Sequence, residues 1–316
     1  MSSKWFIRLL VVAGLAILVA TILRLLTPHA PSVPGTATIT TNSDGSKTSF
    51  ANVSYTGPTF TIPSTLSVES YTALSTNSQN QIIQDYKLAS GSGTFKVWHG
   101  SDFSMVYNSQ TGQYTLSANQ QPTTLTPGID SAKVTQTAQA FATKYFGASP
   151  LLVITQEISY GIDEQISTIT ADKALFANLP LSYVIDGYPV TVSANNLYPL
   201  IVTVNSANQV TKATFVPAQL QMTSLGKKPT LTVTQALANI NKGQAAVTSV
   251  FQENFQPIDL TSITSAAMTS VKVQYRVDAA SNLIYPFYIF DGTGTNAQNT
   301  ALNLEISTPA VAITAQ

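Results

Sequence analysis

The sequence predicts an α+β fold: an N-terminal transmembrane helix, a β-rich unit, and two tandem units that each join a helix to an antiparallel sheet. Three observations predict it. A single apolar run opens the chain, alternating apolar and polar residues dominate the remaining length, and a helix start leading into short strands occurs twice.

From Trp5 to Leu26 the chain reads WFIRLLVVAGLAILVATILRLL. As a helix this run would span about 33 Å, close to the thickness of a bilayer's hydrocarbon core. Arg8 and Arg24 lie near its ends, where long side chains reach the interface, and Trp5 and Phe6 suit the aromatic belt. Lys4 and Arg8 precede the run, so the charge bias places the N-terminus inside and the remainder outside. A cleaved signal peptide is the competing reading, because Leu9–Leu23 also has the length of a long h-region. The expectation is residues 1–27 as tail and anchor, 28–50 as a linker rich in Pro, Ser, Thr and Gly, and the rest outside the cytoplasm as a single-pass cell-membrane protein.

The first folded unit is expected at 51–126. Phe103–Tyr107 and Gln113–Leu116 flank Asn108-Ser109-Gln110-Thr111-Gly112 as a hairpin, whereas 78–87 fits either a short helix or a connector. The second unit is expected at 127–218. Asp130 or Ser131 caps a helix carrying Val134, Ala138, Phe141, Ala142 and Tyr145 on one face, and Gly147 ends it. Strand-like runs come next, near 151–158, 181–192, 200–204 and 210–215, the last two around a turn at Asn205–Asn208. The third unit is expected at 229–316. Thr234 caps a helix with Leu237 and Ile240 inward and Gly243 at its end, and Val271–Val277 alternates strictly. Leu283–Phe290 and Leu302–Ile306 supply two more strands, and one sheet face is expected to be wet. The second and third units share Val-Thr-Gln near the helix start and a later Tyr-Pro step (Tyr198-Pro199 and Tyr285-Pro286).

The C-terminal run Val273-Gln274-Tyr275-Arg276, Leu283–Gly292 and Thr308-Pro309-Ala310-Val311 resembles the end of PepSY-like domains in the YycH/YycI type of extracytoplasmic regulator. The resemblance covers about 130–316. It implies a bacterial, membrane-anchored protein that acts by contact with another envelope or membrane protein, and it carries over no catalytic residue.

Composition narrows the chemistry. The chain has 316 residues, 44% of them hydrophobic and 9% charged, with zero formal net charge and no cysteine. Cores can form, disulfides and thiolate metal sites are excluded, and there is no electrostatic footprint for nucleic acid. His99-Gly100-Ser101-Asp102 holds the residue types of a hydrolytic triad but as neighbours on one loop, which a triad does not permit. Gly91-Ser92-Gly93 lacks a strand-to-helix context. Asp163-Glu164 is an adjacent acidic pair, read as a solvated turn, and Asp291–Asn296 lacks calcium or phosphate-loop spacing, so a hairpin loop is expected. Tyr183, Tyr188, Tyr198, Tyr285 and Tyr288 are expected to be half-buried sheet residues. No catalytic, cofactor-binding or metal residue is designated. The function expected is therefore a non-catalytic, membrane-anchored binding or regulatory module, with a structural cell-surface protein as the alternative and an envelope hydrolase behind both.

Overall fold

A computed structural model of the chain describes residues 52–312 apart from 92–95, 121–123, 148–150, 164–168, 193–197, 244, 252–262, 280 and 297–300. In chain order the first elements are β1 (Asn52–Tyr55), β2 (Thr65–Ser75), α1 (Ser78–Asp85), β3 (Ala89–Ser90), β4 (Val97–His99), β5 (Phe103–Asn108), β6 (Gln113–Ala118) and α2 (Ser131–Phe146). Then come β7 (Leu152–Val153), β8 (Ser159–Gly161), β9 (Phe176–Ser182), β10 (Val184–Ile185), β11 (Tyr188–Thr191), β12 (Leu200–Asn205) and β13 (Val210–Phe215). The remainder are β14 (Ala218–Pro229), α3 (Val233–Asn241), β15 (Ala246–Phe251), β16 (Ile263–Asp278), β17 (Leu283–Asn296) and β18 (Ala301–Pro309).

Local chemistry explains the helices. Asp130 accepts hydrogen bonds from the Ala132 and Lys133 N–H groups, and Val134, Ala138, Phe141, Ala142 and Tyr145 turn inward before Gly147 ends α2 at φ 74°. The cap of α3 is Thr232 rather than the expected Thr234. Its hydroxyl accepts from Gln235 N–H while the Gln235 side chain accepts from Thr232 N–H, a reciprocal capping box. The buried pair is accordingly Ala236 and Ile240, with Leu237 half-buried. Replacing Thr232 by Ala is expected to lower stability by about 1 kcal/mol, read from urea unfolding followed by circular dichroism. The segment at 78–87 resolves as the short helix α1.

Among the described residues the strands form two sheets of nine. One runs β3-β4-β5-β6-β13-β12-β9-β7, with β8 also on β9, and every pairing in it is antiparallel. Its helix side packs Leu116, Phe215, Val202 and Leu179 against α2. On its other side Thr115 pairs across to Thr214, and Lys212 lies between Ser117 and Thr203. The wet face expected for the C-terminal strands is not found over Val273–Arg276, where four successive residues are buried. The Asn205–Asn208 turn is held by the Asn205 side chain, which accepts from Ala207 N–H and Gln209 N–H, with Asn208 at φ 60°.

The second sheet runs β10-β11-β16-β17-β18-β15, joined by β1 on β16 and by β2, which pairs with β17 and with β14. This sheet is mixed, which corrects the expectation of antiparallel units: β1 and β11 both lie parallel to β16. The N-terminal strands are also shared out. β1 and β2 pair with C-terminal strands, whereas β3–β6 extend the sheet of the middle segment. Alternation marks which face of a strand is buried but not which distant strand it pairs with, so this arrangement is not readable locally. Asp291–Asn296, expected as a loop, continues β17 with Asp291 opposite Ser270 and Asn296 opposite Ile263. The run at 151–158 is mostly not strand: β7 is followed by a 3-10 turn at Thr155–Glu157.

The membrane anchor is corrected. Among the described residues no helix is long and apolar enough to cross a membrane. The longest of them, α2, has 16 residues and one apolar face. Residues 1–27 and the linker at 28–50 lie outside the described residues. Over the described residues the fold is therefore α+β with mixed sheets and three short helices, and the single-pass topology, membrane partner and envelope localisation have no described helix to rest on.

Candidate functional site

After β1 the chain runs over the core that packs on the second sheet. Thr56 N–H donates to Met268 C=O at 2.9 Å, and Gly57 lies so near Thr269 that a Cβ there would stand 2.2 Å from its carbonyl oxygen. From Thr59 to Ile62 burial alternates: Phe60 and Ile62 pack on the core and Thr59 and Thr61 face solvent. Such alternation is that of a strand, yet among the described residues the segment has no ladder partner. Among the described residues no hydrogen bond reaches the backbone of Thr59, Phe60, Thr61 or Ile62. Pro58 and Pro63 bracket these four residues, and Thr230 closes the far end by donating to Ser64 C=O and Pro63 C=O.

The first turn of α3 faces this segment across a groove of about 490 Å³. Tyr55, Phe60 and Tyr288 supply aromatic surface, and Thr59, Thr61, Thr232 and Thr234 supply hydroxyl groups. Phe60 meets Tyr288 edge to face at 6.2 Å. Both tyrosine hydroxyls are engaged, Tyr55 donating to Pro58 C=O and Tyr288 to Leu231 C=O. Among the described residues no Asp, Glu, Lys, Arg or His lines the groove.

The ionisable groups gather elsewhere, where the two sheets meet. Tyr198 donates to Glu157 and accepts from the buried Gln274 amide at 3.2 Å, and Lys272 pairs with Glu157 at 3.8 Å. Asp291 accepts from Ser270 at 3.1 Å. Burial raises its carboxyl above the usual range, and the negative charges of Glu305 and Glu157 add to that. Thr248 donates to Glu305, and Arg276 donates to Ser307 at 2.7 Å beneath the Phe287 ring. Burial brings the Arg276 guanidinium down to about 10, against the pull of Glu305, so it stays charged near neutral pH.

A second joint centres on Asp186, in the two-residue turn between β10 and β11. Its carboxylate accepts from Ser67 N–H at 2.7 Å and Tyr275 O–H at 2.8 Å and pairs with Lys227 at 3.1 Å. Burial pushes this carboxyl up, but the hydrogen bonds from Ser67, Tyr275 and Lys227 outweigh it and hold it at about 2.

No protein-family model matches the chain, and no curated protein matches it. Among solved structures it is similar to the crystal structure of YycH from Bacillus subtilis, at 12% identity and a TM-score of 0.37. The likeness covers 77% of this chain and 52% of that one, so the chain spans about half the length of the protein it resembles. This is a weak, partial structural resemblance to the YycH type expected from the C-terminal strands.

The residues flagged in the sequence fall mostly outside the groove. His99 meets Ser104 rather than Ser101, with Nδ1 at 3.3 Å from Oγ. The Ser104 hydroxyl gives its single proton to Asn119 Oδ1 at 2.6 Å, so in this arrangement His99 donates to Ser104 and does not act as its base. Asn119 also donates to Gly100 C=O and Ser101 C=O, bracing a turn. Glu164 and most of the Gly91–Gly93 motif lie outside the described residues. Four of the five named tyrosines are buried more deeply than expected, Tyr183, Tyr198, Tyr285 and Tyr288, and Tyr188 is the half-buried one. Of these five, Tyr288 alone belongs to the groove. Among the described residues no group of three or more His, Cys, Asp or Glu side chains is placed to hold a metal ion.

Sequence reasoning misses the groove, although a signal for it exists. Pro58-Thr59-Phe60-Thr61-Ile62-Pro63 is a short alternating run between two prolines. Asp186-Gly187 between apolar runs is likewise a hairpin-turn signal, with φ 51° and 87° in the structure.

Proposed function

We propose that this protein is a non-catalytic binding module that takes an uncharged ligand in the groove between residues 57–64 and the first turn of α3. One observation carries the reading: aromatic and hydroxyl-bearing side chains line the groove, and among the described residues no Asp, Glu, Lys, Arg or His stands there to activate a hydroxyl as an acid or base. Three carboxylates elsewhere stand in structural contacts. Glu157 holds Tyr198 and Lys272, Asp186 holds Ser67, Tyr275 and Lys227, and Asp85 holds Tyr145 and Lys144. A groove this size suits a few residues or a small molecule.

The test is an NMR titration of the full chain with a library of neutral fragments. Amide shifts are expected to cluster at Tyr55, Phe60–Ile62 and Thr232–Thr234, and Phe60→Ala should weaken the best binder at least tenfold. Turnover of ester, glycoside or phosphoester reporters that tracks the purified protein would overturn the non-catalytic reading. Shifts confined to another surface would overturn the site.

A further inference from the structure

We infer that the natural occupant of this groove is a short extended peptide segment of a partner protein, held as an added strand along Thr59–Ile62. The inference rests on the binding-module reading and names its ligand class.

Three observations carry it. The first is the unpaired backbone. Thr59–Ile62 alternates in burial like a strand, but its N–H and C=O groups have no partner among the described residues. An unpaired strand edge is a template for main-chain pairing with another chain. The second is the contrast with β14, which bounds the β2–β14 ribbon. That edge carries a register shift between Ser224 and Lys227, with Gly226 at φ 95°, followed by Lys227, Lys228 and Pro229, the features that discourage edge pairing. Thr59–Ile62 has no charge and no bulge. Pro58 and Pro63 border it, and since neither has an N–H to donate they confine pairing to a four-residue window. The third is charge. Among the described residues the lining has no ionised side chain to compensate a charge, so the side chains of the paired stretch that face the groove are expected to be uncharged. Phe60, Tyr55 and Tyr288 offer aromatic contacts to its apolar side chains.

Pairing along one edge engages only alternate residues of the incoming strand, and the test uses this. A capped neutral hexapeptide of alternating Thr and Val is titrated into the full chain. Two further versions are N-methylated at the odd or the even residues, and a fourth carries alternating Glu and Lys. The unmodified peptide is expected to shift the Thr59–Ile62 amides and slow their hydrogen exchange. One N-methylated version should bind at least tenfold more weakly while the other binds within about threefold. The charged version should not bind. Thr61→Pro is expected to weaken binding at least tenfold, and an unchanged unfolding midpoint shows that its fold is intact. If that variant unfolds, the N-methylated pair decides alone.

If both N-methylated peptides bind like the parent, strand addition is overturned while the groove stands as a binding site. If no peptide binds but neutral fragments still shift the groove, the peptide assignment falls and the module reading survives. If neither binds there, both fall. A peptide-competed dimer in sedimentation would identify a second copy as the occupant and overturn the separate partner.

Discussion

Replacing Gly292 by Ala is expected to destabilise the protein by about 3 kcal/mol or more. Gly292 lies in β17 opposite Met268, at the register shift between Met268 and Ser270 in β16. A Cβ built there stands 2.2 Å from the Ala267 carbonyl oxygen and 2.6 Å from the Met268 Cα. Both are backbone atoms of the neighbouring strand, so a rotamer change cannot relieve the clash. The long β16–β17 pair would have to separate locally, and β1, which pairs with β16 over Ser265–Met268, would be disturbed with it. Differential scanning calorimetry should show the melting temperature falling by about 6–12 °C. Gly294→Ala is the internal comparison. Its nearest atom is Leu304 Cδ1, also at 2.2 Å, but that is the end of a flexible side chain, so the loss should be markedly smaller. Equal losses at the two positions would show that backbone crowding is not the cause.

Asp186→Ala is expected to cost about 2–4 kcal/mol, because it strips three partners of one acceptor. Ser67 N–H and Tyr275 O–H would each lose a charge-assisted hydrogen bond and Lys227 its ion pair. Alanine also fits poorly at φ 51°, a conformation that Asp and Asn tolerate better. Asp186→Asn keeps the turn and isolates the charge. The sign of the pH dependence comes from the depressed carboxyl. The folded-state value is about 2, below the unfolded value near 3.9. The stabilisation is therefore complete above about pH 4 and is lost as pH falls from there toward 2. Denaturation midpoints of the parent chain should decline through that window, and the decline should be shallower in Asp186→Asn. Parallel slopes would mean that other carboxylates carry the acid sensitivity.

Legibility in the sequence tracks the range of the interaction. The helix at 131–146 is readable because its cap, apolar stripe and terminal glycine all lie within 18 residues. The hairpins at 103–118 and 200–215 are readable for the same reason: strand, turn and strand are contiguous. The α3 cap is misplaced by two residues, since Thr232 and Thr234 are equivalent as side chains and only the reciprocal contact with Gln235 distinguishes them. Asp291–Asn296 reads as a loop because two glycines among Thr and Asn carry a turn composition. In the fold those glycines are what allows β16 and Leu304 to approach β17. The groove is invisible for a related reason. Its two walls are separated by about 170 residues of chain, and neither wall carries the titratable residue types on which a search for chemistry depends.

By itself the sequence determined the α+β class, the positions of two helices, most strand runs, and the absence of cysteine chemistry. These come from composition and from periodicities of 3.6 and 2, which are local properties of the chain. Only the tertiary structure decided that β1 and β2 join C-terminal strands, that two parallel pairings make one sheet mixed, and that Asp186 ties the β10–β11 turn to β2, β14 and β16. Among the described residues it also left the backbone of Thr59–Ile62 without a partner beside the first turn of α3. Pairing between distant strands is a competition among many edges of similar local pattern. Shape, register and buried hydrogen bonds across the whole molecule settle that competition, and no short window of sequence contains them.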